Sequence, residues 1–209
     1  HYDDRIEKFL RLTDNVSFAG GAWNWLGFCP DNTYGIEATK QAFASCLEHK
    51  IKDVFITTWG DNGGETTAFA VLPTFVCASE FAKGNFDMET IKKKFKRIVG
   101  MDFDAFMALE LPDKMKCAPN VNPEMHLVDP TKYLLFNDPF RGIFDTTLYA
   151  DENEKEHFTQ AAEILKPYTK NKQWGHIFKM EVALCKVMDI KARLGLNTRK
   201  IYKTGDKNA

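Results

Sequence analysis

Apolar and polar positions change rhythm along this chain. IEKFL (6–10) sets Ile6, Phe9 and Leu10 on one side of a helix expected over about 3–12. TDN (13–15) then leads into a short apolar run, 16–19, which reads as a strand breaking at Gly20 and Gly21. Ile36, Phe43 and Leu47 recur at spacings of seven and four and predict a helix over about 35–49. DVFITTW (53–59) reads as a second strand, and Ala68, Leu72, Phe75 and Ala78 mark a further helix over about 65–82.

Two short strands joined by a long crossover containing a helix pair in parallel, as a right-handed strand-helix-strand unit. Such units build open α/β sheets and eightfold barrels, and in both the loops that follow the strands share one edge, where ligands bind. Here those loops are GGAWNWLGFCPDN (20–32) and WGDNGGE (59–65), the two most tryptophan-rich segments of the chain. After AKGNFD (82–87) the pattern turns helical, in METIKKKFKRIVG (88–100), FDAFMALEL (103–111), EKEHFTQAAEILKPY (154–168) and WGHIFKMEVALCKVMDIKARLGL (174–196). A proline-rich loop, 111–130, interrupts these stretches. The expected fold class is therefore an α/β part, 1–85, followed by an all-α domain, 86–209, mostly helical overall. The amphipathic start without methionine, and a helix stop followed by a cap at Gly205 and Asp206, are read as the marks of a fragment of a longer chain.

Composition narrows the function classes. The chain has 209 residues, 44% hydrophobic and 27% charged, with a net charge of -1. That balance gives no footing for nucleic acid or an anionic membrane surface as a partner. KKKFKR (92–97) is the one basic run and reads as the solvated face of a helix. Cys29, Cys46, Cys77, Cys117 and Cys185 are odd in number and far apart, which points to buried thiols in a reducing, cytoplasmic setting rather than to disulfides or zinc. The histidines form no metal-binding spacing, and no run approaches the about 18 apolar residues of a membrane span. Neither a metal nor a cofactor is expected.

The loop residues carry the candidate chemistry. Tryptophan offers a flat apolar face matching the C–H face of a pyranose, while a nearby carboxylate or amide takes the ring hydroxyls. Trp59 and Asp61 supply that pair in one turn, with Gly60 letting the backbone come close. Trp23 and Trp25 add walls, Asn62 adds a donor and an acceptor, and Glu65 is the nearest further carboxylate. Plainer uses exist for each: a tryptophan is an ordinary core residue, and Asp61 and Glu65 both suit the start of a helix. The acids of DNGGE lack the spacing of a calcium loop, and no phosphate-cradling lysine follows a strand.

At these residues a family resemblance enters. FAGGAWNWLGF (18–28), ITTWGDNGGE (56–65) and FAVLPTF (69–75) resemble the last two barrel strands of glycoside hydrolase family 20, the β-N-acetylhexosaminidases. The closest branch is that of bacterial exo-acting enzymes and hexosaminidase D. LLFNDPFRGIFD (134–145) and KARLGLNTRKIYKTGD (191–206) resemble its helical C-terminal domain. The resemblance implies a (β/α)8 barrel and a retaining mechanism in which the substrate's own acetamido oxygen attacks the anomeric carbon, outside the two-carboxylate scheme. It implies Trp59 as the platform under a terminal N-acetylhexosamine, Asp61 as the anchor of its O4 and O6 hydroxyls, and Trp23 or Trp25 as a wall of the acetamido pocket.

The family's catalytic Asp-Glu pair belongs to a middle strand and has no counterpart here, since ADENEKE (150–156) falls in the helical part. No catalytic residue is therefore expected within this chain, and the chain alone is expected to be inactive. Two other readings stay open: a sugar-binding module without chemistry, and an assembly module. For assembly, Ile177, Met180, Leu184, Val187 and Met188 on the last helix serve as core or as a homodimer surface, and the resemblance permits a dimer.

Overall fold

The structure is a computed structural model describing residues 2–115, 129–145 and 154–205. Cys117, most of the proline-rich loop, residues 150–153 and Asp206 lie outside these. The chain divides into two compact units, His1–Leu26 with Pro30–Met107, and Gly27–Cys29 with Ala108–Ala209.

In the first unit, α1 (Tyr2–Leu10) carries Asp3 and Asp4 in its first turn and Lys8 in its last, the charge order that suits a helix dipole. β1 (Ser17–Gly21) follows, then α2 (Asn32–Glu48), then β2 (Asp53–Thr57). The two strands pair in parallel, Ser17 opposite Asp53 through Gly21 opposite Thr57, as the crossover requires. β1 does not break at its glycines. Both lie in the ladder, where the Ala22 N–H donates to the Thr57 carbonyl (2.8 Å) and Thr57 Oγ1 to the Gly20 carbonyl (2.9 Å). α2 starts three residues earlier than its apolar pattern, because the Asp31 carboxylate accepts the Tyr34 N–H.

The helix expected over 65–82 is shorter. A 3-10 turn, Ala68–Val71, opens on Thr67, whose Oγ1 accepts the Phe69 N–H, and α3 (Leu72–Phe81) begins with Pro73 in its first turn. The glycines at 63 and 64 have φ of 108° and 66°, values outside any right-handed helix, so the residues after β2 form a loop first. Buried Asn32 ties α2 to this region, donating to the Ala70 carbonyl (2.9 Å) and accepting from Thr74 Oγ1 (3.0 Å).

Among the described residues, one face of the sheet is covered and the other is largely open. Phe18 meets Phe43 of α2 edge-on at 5.9 Å, and Val54 and Ile56 face Phe43, Phe75 and Ala78 across a small hollow. On the alternate positions, Ser17, Ala19 and Asp53 are exposed and Phe55 is 53% exposed.

α4 (Met88–Val99) is capped by Asp87, which accepts the Glu89 and Thr90 N–H groups, and buries Ile91, Phe95 and Val99. Phe95 meets Phe103 and Phe106 of α5 (Phe103–Met107) edge-on at 5.3 and 5.4 Å. Buried Glu80 on α3 accepts from Lys83 (3.0 Å), Asn85 (3.0 Å) and Lys94. α4 and α5 thus pack with α3, and the first unit runs on to Met107, beyond the change of texture near Asn85.

The second unit holds α6 (Pro130–Phe136), α7 (Glu154–Leu165) and α8 (Gly175–Thr204), the last about 45 Å long at 1.5 Å per residue. Leu134, Phe158, Ala161, Leu184, Cys185, Met188 and Ala192 form its core, together with Cys29. Of the α8 residues with two possible uses, Ile177, Leu184 and Met188 are buried, Met180 is half-buried and Val187 is 48% exposed. The segment 137–145 is clamped on α8: Lys191 Nζ donates to the Asn137 carbonyl (2.7 Å), and Arg199 reaches the Pro139 carbonyl and the Asp145 carboxylate. Cys29, Cys46, Cys77 and Cys185 are buried thiols. Among the described residues, no helix is long and apolar enough to cross a membrane.

Candidate functional site

The C-terminal ends of β1 and β2 bring Trp23, Trp25 and Trp59 to one rim of the first unit. The Trp23 ring lies 4.9 Å from that of Trp25, tilted by 35°, and meets Tyr34 of α2 edge-on at 4.3 Å. Gly21 makes this arrangement possible, because a Cβ there would stand 2.4 Å from the far corner of the Trp25 ring. Trp59 is oriented through its edge: its Nε1 donates to Thr57 Oγ1 at 2.8 Å, and Thr57 Oγ1 donates onward to the Gly20 carbonyl. The ring is thereby tied to β1 while 54% of the residue stays exposed.

Asn24, between the two tryptophans, holds the loops together. Its Oδ1 accepts the Trp59 N–H (3.3 Å), and its Nδ2 donates to the Thr66 carbonyl (3.4 Å). Sequence reasoning passed over it, although an amide flanked by tryptophans in a post-strand loop is a signal for a brace between aromatic walls. Tyr34 was missed as well, since it stands on the helix rather than in either loop.

The three acids and amides of the second loop are placed differently from the tryptophans. Asp61 opens a 3-10 turn, Asp61–Gly63, and is exposed. Asn62 acts as a second brace, its Nδ2 donating to the Leu26 carbonyl at 2.7 Å, with its backbone at φ 53°. Glu65 folds back over the turn, since a Cβ on Gly63 would stand 2.3 Å from its Oε1.

A hollow of about 700 Å³ begins at these tryptophans and runs along β1 to Tyr2, Arg5, Ile6 and Phe9 of α1. Trp23, Trp25, Trp59 and Tyr34 line one end, whereas Asp61, Asn62 and Glu65 are outside its lining. A pocket for one sugar ring takes up the low end of the usual range of ligand cavities, about 300 Å³. The remainder is flanked by the β1 edge, which among the described residues has no strand partner.

A second titratable cluster sits in the core of the helical unit. Cys29 Sγ donates to Glu181 Oε2 at 3.3 Å, and Asp113 Oδ1 accepts the Thr131 N–H at 2.9 Å and also the Thr131 hydroxyl. Glu181 is 0% exposed and Asp113 8%. Burial pushes the Glu181 carboxyl and the Cys29 thiol well up, with Asp113 adding to both. Burial likewise raises Asp113, to about 7, against the opposing pull of its Thr131 bonds. Burial thus disfavours the charged form of all three groups, which lie inside the unit rather than on an open cleft. Among the described residues, no group of three or more His, Cys, Asp or Glu side chains is placed to share a metal ion.

The comparison with known families decides the affiliation. Residues 104–209 match the family described as Glycoside Hydrolase 20C C-terminal domain. The chain belongs to that family. Its matched stretch takes in α6, α7 and α8, so the helical second unit is the part that carries the family signature. The tryptophan loops, 20–32 and 59–65, precede it. No curated protein matches the chain.

Proposed function

We propose that this chain is the C-terminal portion of a retaining, exo-acting β-N-acetylhexosaminidase, in which the strand-bearing first unit contributes the end of a (β/α)8 barrel and the helical second unit is its C-terminal domain. The carrying observation is the convergence of Trp23, Trp25 and Trp59 at the C-terminal ends of two parallel strands, in a chain of the glycoside hydrolase 20C family. On this reading Trp59 is the platform under a terminal N-acetylglucosamine or N-acetylgalactosamine, its exposed face stacking on the sugar. Trp25 and Trp23 wall the acetamido group, and Asp61, two residues from the platform, takes the O4 and O6 hydroxyls. Asn62 and Asn24 hold the two loops at the spacing the sugar requires.

The chemistry then divides between this chain and residues it does not contain. An upstream glutamic acid protonates the leaving oxygen, and an upstream aspartate orients the acetamido group, whose oxygen attacks the anomeric carbon with no cofactor. The uncovered sheet face at Ala19 and Phe55, and the long hollow beside β1, are where upstream barrel strands pack.

An assay with a chromogenic N-acetyl-β-glucosaminide tests this reading. The longer gene product is expected to hydrolyse it and the 209-residue chain is expected to be inactive. Turnover by the 209-residue chain itself would place the acid within it and overturn the division of labour.

A further inference from the structure

The outer face of α8 has a pattern unrelated to the core it covers. Val187, Ile190, Leu194 and Ile201 are 48, 70, 46 and 41% exposed. They follow one another at intervals of three, four and seven, and Asn197 fills the remaining place. This is a heptad seam, with Val187, Leu194 and Ile201 in one repeating position and Ile190 and Asn197 in the other. It runs about 21 Å along the helix. The core-facing residues Leu184, Cys185, Met188 and Ala192 lie on the opposite side, so α8 presents two apolar faces and its own unit uses one.

Cations flank this seam at the same period. Lys179, Lys186, Arg193 and Lys200 follow at intervals of seven, in the place beside the seam where coiled-coil helices set their partner-choosing charges. Beside the other edge stand Lys191 and Thr198. No acid occupies either flank between 184 and 200.

We infer that the outer face of α8 is a docking surface for an amphipathic helix with acidic flanks, supplied by another protein. The charges select this occupant over a second copy. Antiparallel self-pairing would set the row 179, 186, 193 and 200 against itself, and parallel self-pairing would set it against Lys191 and Thr198, so no opposite charges meet either way. They also select it over a lipid surface. A helix lying on a membrane carries cations on both borders of a wide apolar face, whereas this seam is narrow, strongly basic along one border and interrupted by the amide of Asn197. A buried amide in a heptad seam fixes the register of a partner helix at a cost in stability, a use that lipid does not have.

The test uses the full 209-residue chain and a fluorescent synthetic peptide of three heptads, with leucine in the seam and glutamate on both flanks. The expected result is saturable binding that weakens about tenfold between low and high salt. Ile190→Ser with Leu194→Ser should abolish it, and Lys186→Glu with Lys200→Glu should weaken it about tenfold. Both seam positions are exposed, so circular dichroism of the serine variant should match the parent. Three results would overturn the inference. One is equal binding of a lysine-flanked twin peptide, and another is tighter binding to phosphatidylserine vesicles than to the acidic peptide. The third is a concentration-dependent dimer of the chain that the same serine substitutions dissolve.

Discussion

Asn24 shows what single residues do here that their type does not announce. Its side-chain amide ties one tryptophan loop to the backbone of the other, and Trp59 is held at its backbone N–H and its indole edge while its residue stays half-exposed. The tryptophans themselves were legible as a group, because parallel strands leave their following loops on one edge. Their orientation was not, because it depends on Gly21 leaving room for the Trp25 ring and on Thr57 reaching across to β1. Cys29 was legible as a buried thiol, but its bond to Glu181, 152 positions away, was not. The same cluster gives a pH prediction. Glu181 and Asp113 bind protons more tightly folded than unfolded, so their contribution is full below about pH 4 and is lost as pH rises through about 7, where Asp113 ionises. Thermal unfolding followed on α-helical circular dichroism should therefore show a midpoint that falls from about pH 5 to about pH 8. Glu181→Gln should flatten that slope, and an unchanged slope in this variant would remove the cluster as its cause.

At the scale of elements, local pattern and capping account for most of what was readable. The helical positions of Ile91, Phe95 and Val99, with Asp87 before them and Gly100 after, define α4 from the sequence alone. α3 was overextended because its apolar period continues back to Ala68, while two glycines at positive φ and the Thr67 cap delay the helix. Long-range joints were invisible. Glu80 is one: bonds to Lys94, Asn85 and Lys83 hold its carboxylate down at about 2, joining α3 to α4. Its contribution is present above the ordinary value of 4.5 and is lost as pH falls toward 2. Glu80→Gln should cost about 1.5 to 3 kcal/mol near neutral pH, the range for hydrogen bonds to charged groups, and should remove the acid-side loss. Denaturant titrations at neutral and acid pH check both. Gly195 is another joint. Alanine would ordinarily stabilise a helix interior by about 1 kcal/mol over glycine. A Cβ at 195 would stand 2.7 Å from the Pro139 Cα, however, and backbone cannot turn aside as a side chain can. Gly195→Ala should therefore destabilise the second unit by about 1 to 2 kcal/mol, within the range for overpacking. A higher unfolding midpoint would contradict the tight seat of 137–145 on α8.

For the whole molecule, the two halves of the chain carry different kinds of evidence. The helical unit bears the family signature, and the first unit bears the aromatic rim. Among the described residues the sheet has two strands, one covered face and an exposed Phe55, an arrangement that hydrophobic burial alone would not select. On the proposed reading, barrel strands from a longer chain cover the open face. The account's central claim is that Trp59 and Asp61 hold the terminal sugar while the acid comes from elsewhere. The measurement that tests it most directly is kcat/KM of the longer gene product on an N-acetyl-β-glucosaminide, with Trp59→Ala and Asp61→Ala beside the parent. Loss of one charged hydrogen bond predicts a fall of about ten- to a hundredfold for Asp61→Ala, and loss of the stacking face predicts a fall at least as large for Trp59→Ala. Parent-like kcat/KM in both variants would contradict the claim and leave the tryptophan rim without a part in sugar binding.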